Sequence, residues 1–163
     1  MERIARGPVA VIECPQEIPC NPCETACRHQ AITIGEPVTR IPVLDPSRCN
    51  GCGLCLPACP GQAIFIVDGS LGGGKAAVTL PFEFLPLPAA GDAVTLLDRG
   101  GREAGQGEII KVTATRLFDR TPLVTVSVPV SLAMAVRNIR PRLGRPNQPN
   151  PSEGGNGDDS SLA

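Results

Sequence analysis

All eight cysteines of this 163-residue chain fall between Cys14 and Cys59. That crowding constrains the fold more than any other feature. Residues 14–32 read "CPQEIPCNPCETACRHQAI", and residues 49–64 read "CNGCGLCLPACPGQAI". Shifting the chain by 32 residues places Cys20 on Cys52, Cys23 on Cys55 and Cys27 on Cys59. The tripeptide Gln30-Ala31-Ile32 lands on Gln62-Ala63-Ile64 at the same offset. The repeat fails in two places: Glu17 stands where Cys49 maps, with Cys14 three residues earlier, and Arg28 stands where Pro60 maps.

An even cysteine count is compatible with disulfides, but those need an oxidising compartment. The N-terminal "MERIARGPVAVIECP" has no apolar stretch of secretory length. No apolar run approaches the roughly 18 residues of a membrane span. The expectation is a cytoplasmic chain whose thiols bind metal. The formal net charge of -1 and the 2% aromatic content offer neither a basic face nor stacking platforms for nucleic acid.

The second run has the spacing C-x2-C-x2-C-x3-C-P, the bacterial iron–sulfur pattern, in which the fourth cysteine ligates the other cluster when there are two. On that rule Cys49, Cys52 and Cys55 hold one [4Fe-4S] cluster with Cys27. Cys20, Cys23 and Cys59 hold the other, and Cys14 is the cysteine left to complete it. With Cys14 idle, the first centre would be [3Fe-4S]. Zinc is a third reading, since C-x2-C pairs also build zinc sites, but zinc requires neither the third close cysteine nor the following C-P. His29 reads as a solvated surface residue. Arg28 reads equally as a surface charge or as a cation raising its cluster's potential. Gly72-Gly73-Gly74-Lys75 lacks the Ser or Thr of a phosphate loop and reads as a turn. Phe82, Phe84 and Leu85 read as core, with a docking patch as the alternative.

The expected fold class is α+β. A two-cluster ferredoxin-like domain (1–70) precedes a small mainly-β domain with a C-terminal helix (71–140) and a disordered tail (141–163). Strands are expected at Val9–Glu13, Ala31–Ile34, Pro42–Asp45 and Ala63–Val67. Helical turns are expected at Cys23–His29 and Cys55–Cys59. Asp68–Gly74 reads as a loop. "KAAVTL", "DAVTLLD", "GEIIKVTA" and "LVTVSV" read as strands of a small barrel or sandwich, and "PVSLAMAVRNIR" as a short helix. The tail is rich in Pro, Gly, Asn and Ser, and buries too little apolar surface to offset its ordering entropy.

Residues 9–67 resemble the bacterial two-[4Fe-4S] ferredoxins, through "CNGCGLCLPACPGQAI" and "CNPCETACRHQAI". That resemblance implies a pseudo-twofold α+β fold and single-electron transfer. The stretches "VIECPQEIPCNPCETAC", "PFEFLPLP" and "FDRTPLVTVSVP" are similar to the ferredoxin-type small subunits of FAD-dependent dehydrogenases acting on proline, hydroxyproline or sarcosine. This likeness implies a partner flavoprotein in a hetero-oligomer, and no catalytic base or nucleophile in this chain. If Cys14 is a ligand, Cys14→Ala lowers iron below about eight per chain, four for each cluster. Iron analysis of anaerobically purified protein checks this, and unchanged iron with an unchanged spectrum would make Cys14 a spare thiol.

Overall fold

A computed structural model describes residues 2–118 and 121–141. The described chain is mostly β, with two short α-helices. The cysteine-bearing part contains β1 (Val9–Ile12), α1 (Pro22–Ala26), β2 (Ile32–Thr33), β3 (Val43–Leu44) and α2 (Cys55–Ala58). It continues into β4 (Ile64–Gly72). Then follow β5 (Lys75–Pro81), β6 (Ala93–Asp98), β7 (Glu103–Thr113), β8 (Leu123–Pro129) and β9 (Val136–Ile139).

The internal repeat folds as a pseudo-twofold pair. Strand β1 at the start of the first half pairs antiparallel with β4 at the end of the second, Ile12 opposite Ile64. Strand β2 pairs in the same way with β3. Matching backbone bonds close each pair at the same repeat position: Glu13 N–H to Ala63 O at 2.8 Å, and Asp45 N–H to Ala31 O at 2.7 Å. Gln30 and Gln62 both hold φ of 49°. This left-handed backbone is uncommon away from glycine. The shared Gln-Ala-Ile motif therefore marks one repeated turn.

Strands β1 and β4 also belong to a seven-stranded antiparallel sheet of order β1-β4-β5-β8-β7-β6-β9. The sheet curls, bringing β9 back towards β5. Side chains alternate across a strand, and β4 uses both faces. Phe65 and Val67 join a core with Val78, Leu80, Leu96, Val126 and Ile139. Ile64 and Ile66 join a second core with Ile32, Ile34, Leu56, Phe118 and Leu123, against the cysteines. This double burial explains the unbroken apolar run "IFIV".

Three sequence expectations need correction. Asp68–Gly74 is largely strand: β4 runs to Gly72 through an irregular register, and only Gly73-Gly74 turn before β5. Asp68 Oδ1 accepts from the Ser70 N–H and hydroxyl within that irregular stretch. The expected helix in "PVSLAMAVRNIR" is absent. A 3-10 turn at Val130–Leu132 leads instead into β9. Strand β6 has an open edge there, and pairing Leu96 with Ile139 satisfies its backbone while burying Val136 and Ile139. Of the three residues read as core, Phe82 is 2% exposed, but Phe84 is 43% and Leu85 78% exposed. From residue 142 the expected disordered tail lies outside the described residues. Leu80 is fully buried, so Leu80→Ala should cost about 2–5 kcal/mol of unfolding free energy, read by urea titration.

Candidate iron–sulfur site

Two concave sites flank the short helices, each lined by four cysteines. The first, of about 320 Å³, takes Cys27 from the first run with Cys49, Cys52 and Cys55 from the second. Ala10, Ala31, Ile32, Leu54 and Ile66 supply its apolar wall. The second, of about 370 Å³, takes Cys14, Cys20 and Cys23 with Cys59. Ile12, Ile34, Pro42 and Ile64 wall it. Strands β1 and β4 thus serve both sites from one face: Ala10 and Ile66 at the first, Ile12 and Ile64 at the second. The structure brings together the two groups of four that the crossed reading requires, Cys14 included.

The turns that carry the crossing thiols match. In each, an N–H four residues on donates to the cysteine sulfur: Ala31 to Cys27 Sγ at 3.2 Å, and Ala63 to Cys59 Sγ at 3.4 Å. Ala10 N–H donates to Cys49 Sγ at 3.4 Å. Such donors stabilise negative charge on sulfur. In the Cys49 loop, Gly51 and Gly53 have φ of 71° and 82°. A Cβ at Gly51 would lie 2.5 Å from Pro8 Cβ, and one at Gly53 3.3 Å from Leu123 Cδ1. The loop is therefore clasped between the N-terminal segment and β8.

Burial pushes the Cys55 thiol up to about 12, with Cys52, Cys49 and Cys27 adding repulsion. Burial likewise raises Cys23 to about 11, with Cys59 and then Cys20 adding to it. Thiols so placed lose their protons readily only to a cationic partner such as iron. They also ring a space instead of converging on a point. Among the described residues, no three His, Cys, Asp or Glu side chains group closely enough to hold one metal ion. A tetrahedral zinc needs its sulfurs about 2.3 Å from a single centre. All-thiol donors, apolar walls and N–H···S bonds fit an iron–sulfur cluster.

His29 is exposed, on the lining of the Cys27 site. Arg28 lines neither cysteine site. It borders a groove between α1 and α2 with Leu54, Pro57 and Leu117. Three other arginines have no signal in the sequence that marks their roles. Arg3 donates to four carbonyls, Pro46 (2.9 Å), Gly7 (3.0 Å), Pro8 (3.1 Å) and Cys49 (2.6 Å), pinning the N-terminus to the second cysteine run. Arg40 lines the Cys14 site. Arg137, from β9, bonds Glu13 Oε1 at 2.7 Å and lies 5.0 Å from the Phe65 ring centroid. Glu13 also pairs with Arg99. Burial works against ionisation of Glu13, but Arg137 and then Arg99 outweigh it and hold its pKa below the ordinary value. No local spacing links residues 13 and 137, so only the fold reveals this pair.

The geometry agrees with comparisons to known proteins. Residues 18–63 match the 4Fe-4S dicluster domain family, a span holding seven of the eight cysteines and leaving Cys14 outside. Over 45 residues the chain is 40% identical to one subunit of the Na(+)-translocating ferredoxin:NAD(+) oxidoreductase complex of Acetobacterium woodii. The match covers 28% of this chain and 13% of that protein. It is 44% identical over 45 residues to an uncharacterized ferredoxin of Methanocaldococcus jannaschii, covering 28% of each. No solved structure matches. The cysteine-rich segment is a ferredoxin-type iron–sulfur electron-carrier domain of the bacterial kind. Among the described residues, no helix is long and apolar enough to cross a membrane.

The side chain of Arg137 is 3% exposed and that of Glu13 16%. Arg137→Met should destabilise the protein by about 1.5–3 kcal/mol, because it removes a charge-assisted hydrogen bond to the half-buried Glu13 carboxylate, which keeps Arg99 as a partner. Adding Glu13→Gln should recover part of that loss, and a double-mutant cycle by chemical denaturation measures the coupling.

Proposed function

We propose that this chain is an electron-relay subunit carrying two [4Fe-4S] clusters, one held by Cys14, Cys20, Cys23 and Cys59, the other by Cys27, Cys49, Cys52 and Cys55. The observation that supports this most directly is the lining of each concave site by four cysteines, three from one run and one from the other. Bound there, the clusters supply single-electron acceptance and release. The chain holds them in apolar walls, hydrogen-bonds their sulfur ligands and provides the shared wall of β1 and β4. Cys52 is the exposed thiol of its set, while Cys23 and Cys55 are buried.

The partner in this proposal is an FAD-containing dehydrogenase oxidising an amino acid or secondary amine, in a hetero-oligomer in the cytoplasm. Support comes from the likeness of "VIECPQEIPCNPCETAC", "PFEFLPLP" and "FDRTPLVTVSVP" to the small subunits of such enzymes. The Acetobacterium woodii relative is itself named as part of a complex. In this reading residues 1–70 carry the clusters and 71–140 serve assembly, with exposed Phe84 and Leu85 available for contact. A freely diffusing ferredoxin is the competing reading, which the M. jannaschii relative's name favours. Anaerobic affinity isolation of the tagged chain from its host, followed by mass spectrometry and cofactor analysis, separates the two. A stoichiometric flavoprotein is the expected companion, whereas a brown chain eluting alone would favour the free carrier.

A further inference from the structure

We propose that Arg40 tunes the Cys14, Cys20, Cys23 and Cys59 centre, making it the easier of the two to reduce. The inference rests on the reading above, in which each thiol set holds one [4Fe-4S] cluster.

The two sites differ in charge. Arg40 lines the Cys14 site beside Gln16, and no carboxylate lines it. Neither Arg, Lys nor a carboxylate lines the Cys27 site, where His29 and Asn50 are the polar non-cysteine side chains. Arg40 makes no ion pair among the described residues. Its backbone position is held: Arg40 N–H donates to Pro37 O at 3.0 Å, and Cys20 N–H reaches Val38 O in the same turn at 3.5 Å. The turn that carries Arg40 is thereby tied to the backbone of Cys20, a cysteine of the set whose site it lines.

Other charges stand near the thiols without lining either site: Glu13 is paired with Arg137 and Arg99, Arg28 borders the groove between α1 and α2, and Arg48 donates to Gln30 Oε1 at 2.9 Å. Arg3 approaches the Cys49 loop, but its donors are engaged by four carbonyls. Glu24, next to Cys23, turns its carboxylate to the Ile34 N–H at 3.0 Å. Arg40 is left as the cation on the lining of one set only.

Reduction adds one electron, and no proton, to a cluster that its thiolates already make negative. The electron comes from the partner flavin in the cell, or from dithionite in the test. A fixed positive charge beside one cluster favours its reduced state over that of its neighbour. Arginine keeps its charge at every working pH. Because Arg40 is exposed, solvent and salt screen the effect to a modest size. With unequal potentials, an electron delivered to either cluster settles on the Cys14 side, which gives the relay a direction.

The test is an EPR-monitored redox titration of the full chain, with iron and sulfide analysis, on wild type, Arg40→Gln and Arg40→Lys. Cys52→Ser assigns the signals by disabling the other set. Wild type should show two one-electron transitions with about eight irons, and the more positive transition should survive in Cys52→Ser. In Arg40→Gln the reduced-to-oxidised ratio of that transition, at fixed potential, should fall about threefold, or about 30 mV at 59 mV per tenfold. The second transition should stay in place, and Arg40→Lys should restore most of the shift. Unmoved potentials with full iron overturn the role of Arg40 and leave the two-cluster reading standing. Loss of iron in Arg40→Gln, or an equal shift of both transitions, makes Arg40 structural and overturns it as well. A wild type with about four irons and one transition overturns the two-cluster reading, and the proposal with it.

Discussion

The pairing of β1 with β4 is the constraint on which the rest of the structure depends. It joins the first strand of the first half to the last strand of the second, so the ends of the repeat meet. That meeting lets Cys27 sit among the thiols of the second run and Cys59 among those of the first. It also aligns Ala10 with Ile66, and Ile12 with Ile64, as common walls. A one-residue slip in this register would turn every wall side chain to the opposite face. The remote bond from Arg137 to Glu13 guards the end of this pair, one residue before Cys14.

Because β4 is buried on both faces, the cysteine-rich part and the β-rich part share a strand and form one sheet. Leu123 and Phe118, from the far side of the sequence, complete the core beneath the cysteines. Disturbance in one core can therefore reach the thiols through β4. Small iron–sulfur folds bury little apolar surface of their own, and here a larger sheet braces the cluster-bearing segment.

The two sites are alike in backbone and unlike in charge. Their turns, N–H···S bonds and left-handed glutamines repeat with the 32-residue offset. What surrounds them does not repeat. Arg3 and Gly51 clasp one loop against the N-terminus, while the other site takes the longer Cys14–Cys20 connection and Arg40. The symmetry places two equivalent cysteine-lined sites, and the departures from it make their surroundings unequal.

The cysteine spacing and the offset of 32 were sufficient to point to iron–sulfur chemistry, to mark both runs, and to group Cys27 with the second run and Cys59 with the first, as the two cysteine-lined sites are arranged. These are local features: a few residues of loop bring neighbouring sulfurs together, so spacing alone carries the information. Alternation also located β8, where Val124, Val126 and Val128 face inward. The tertiary structure decided what depends on distant partners. Strand β9 exists because β6 had an edge to fill, although "PVSLAMAVRNIR" carries a helical pattern. The Asp68–Gly72 stretch is strand because β5 is there to pair with it. Which arginine lines a cysteine site was likewise settled by the path of the chain: Arg28 lies beside Cys27 in sequence yet borders another groove, and Arg40 is carried back to the Cys14 site by a turn bonded to Cys20.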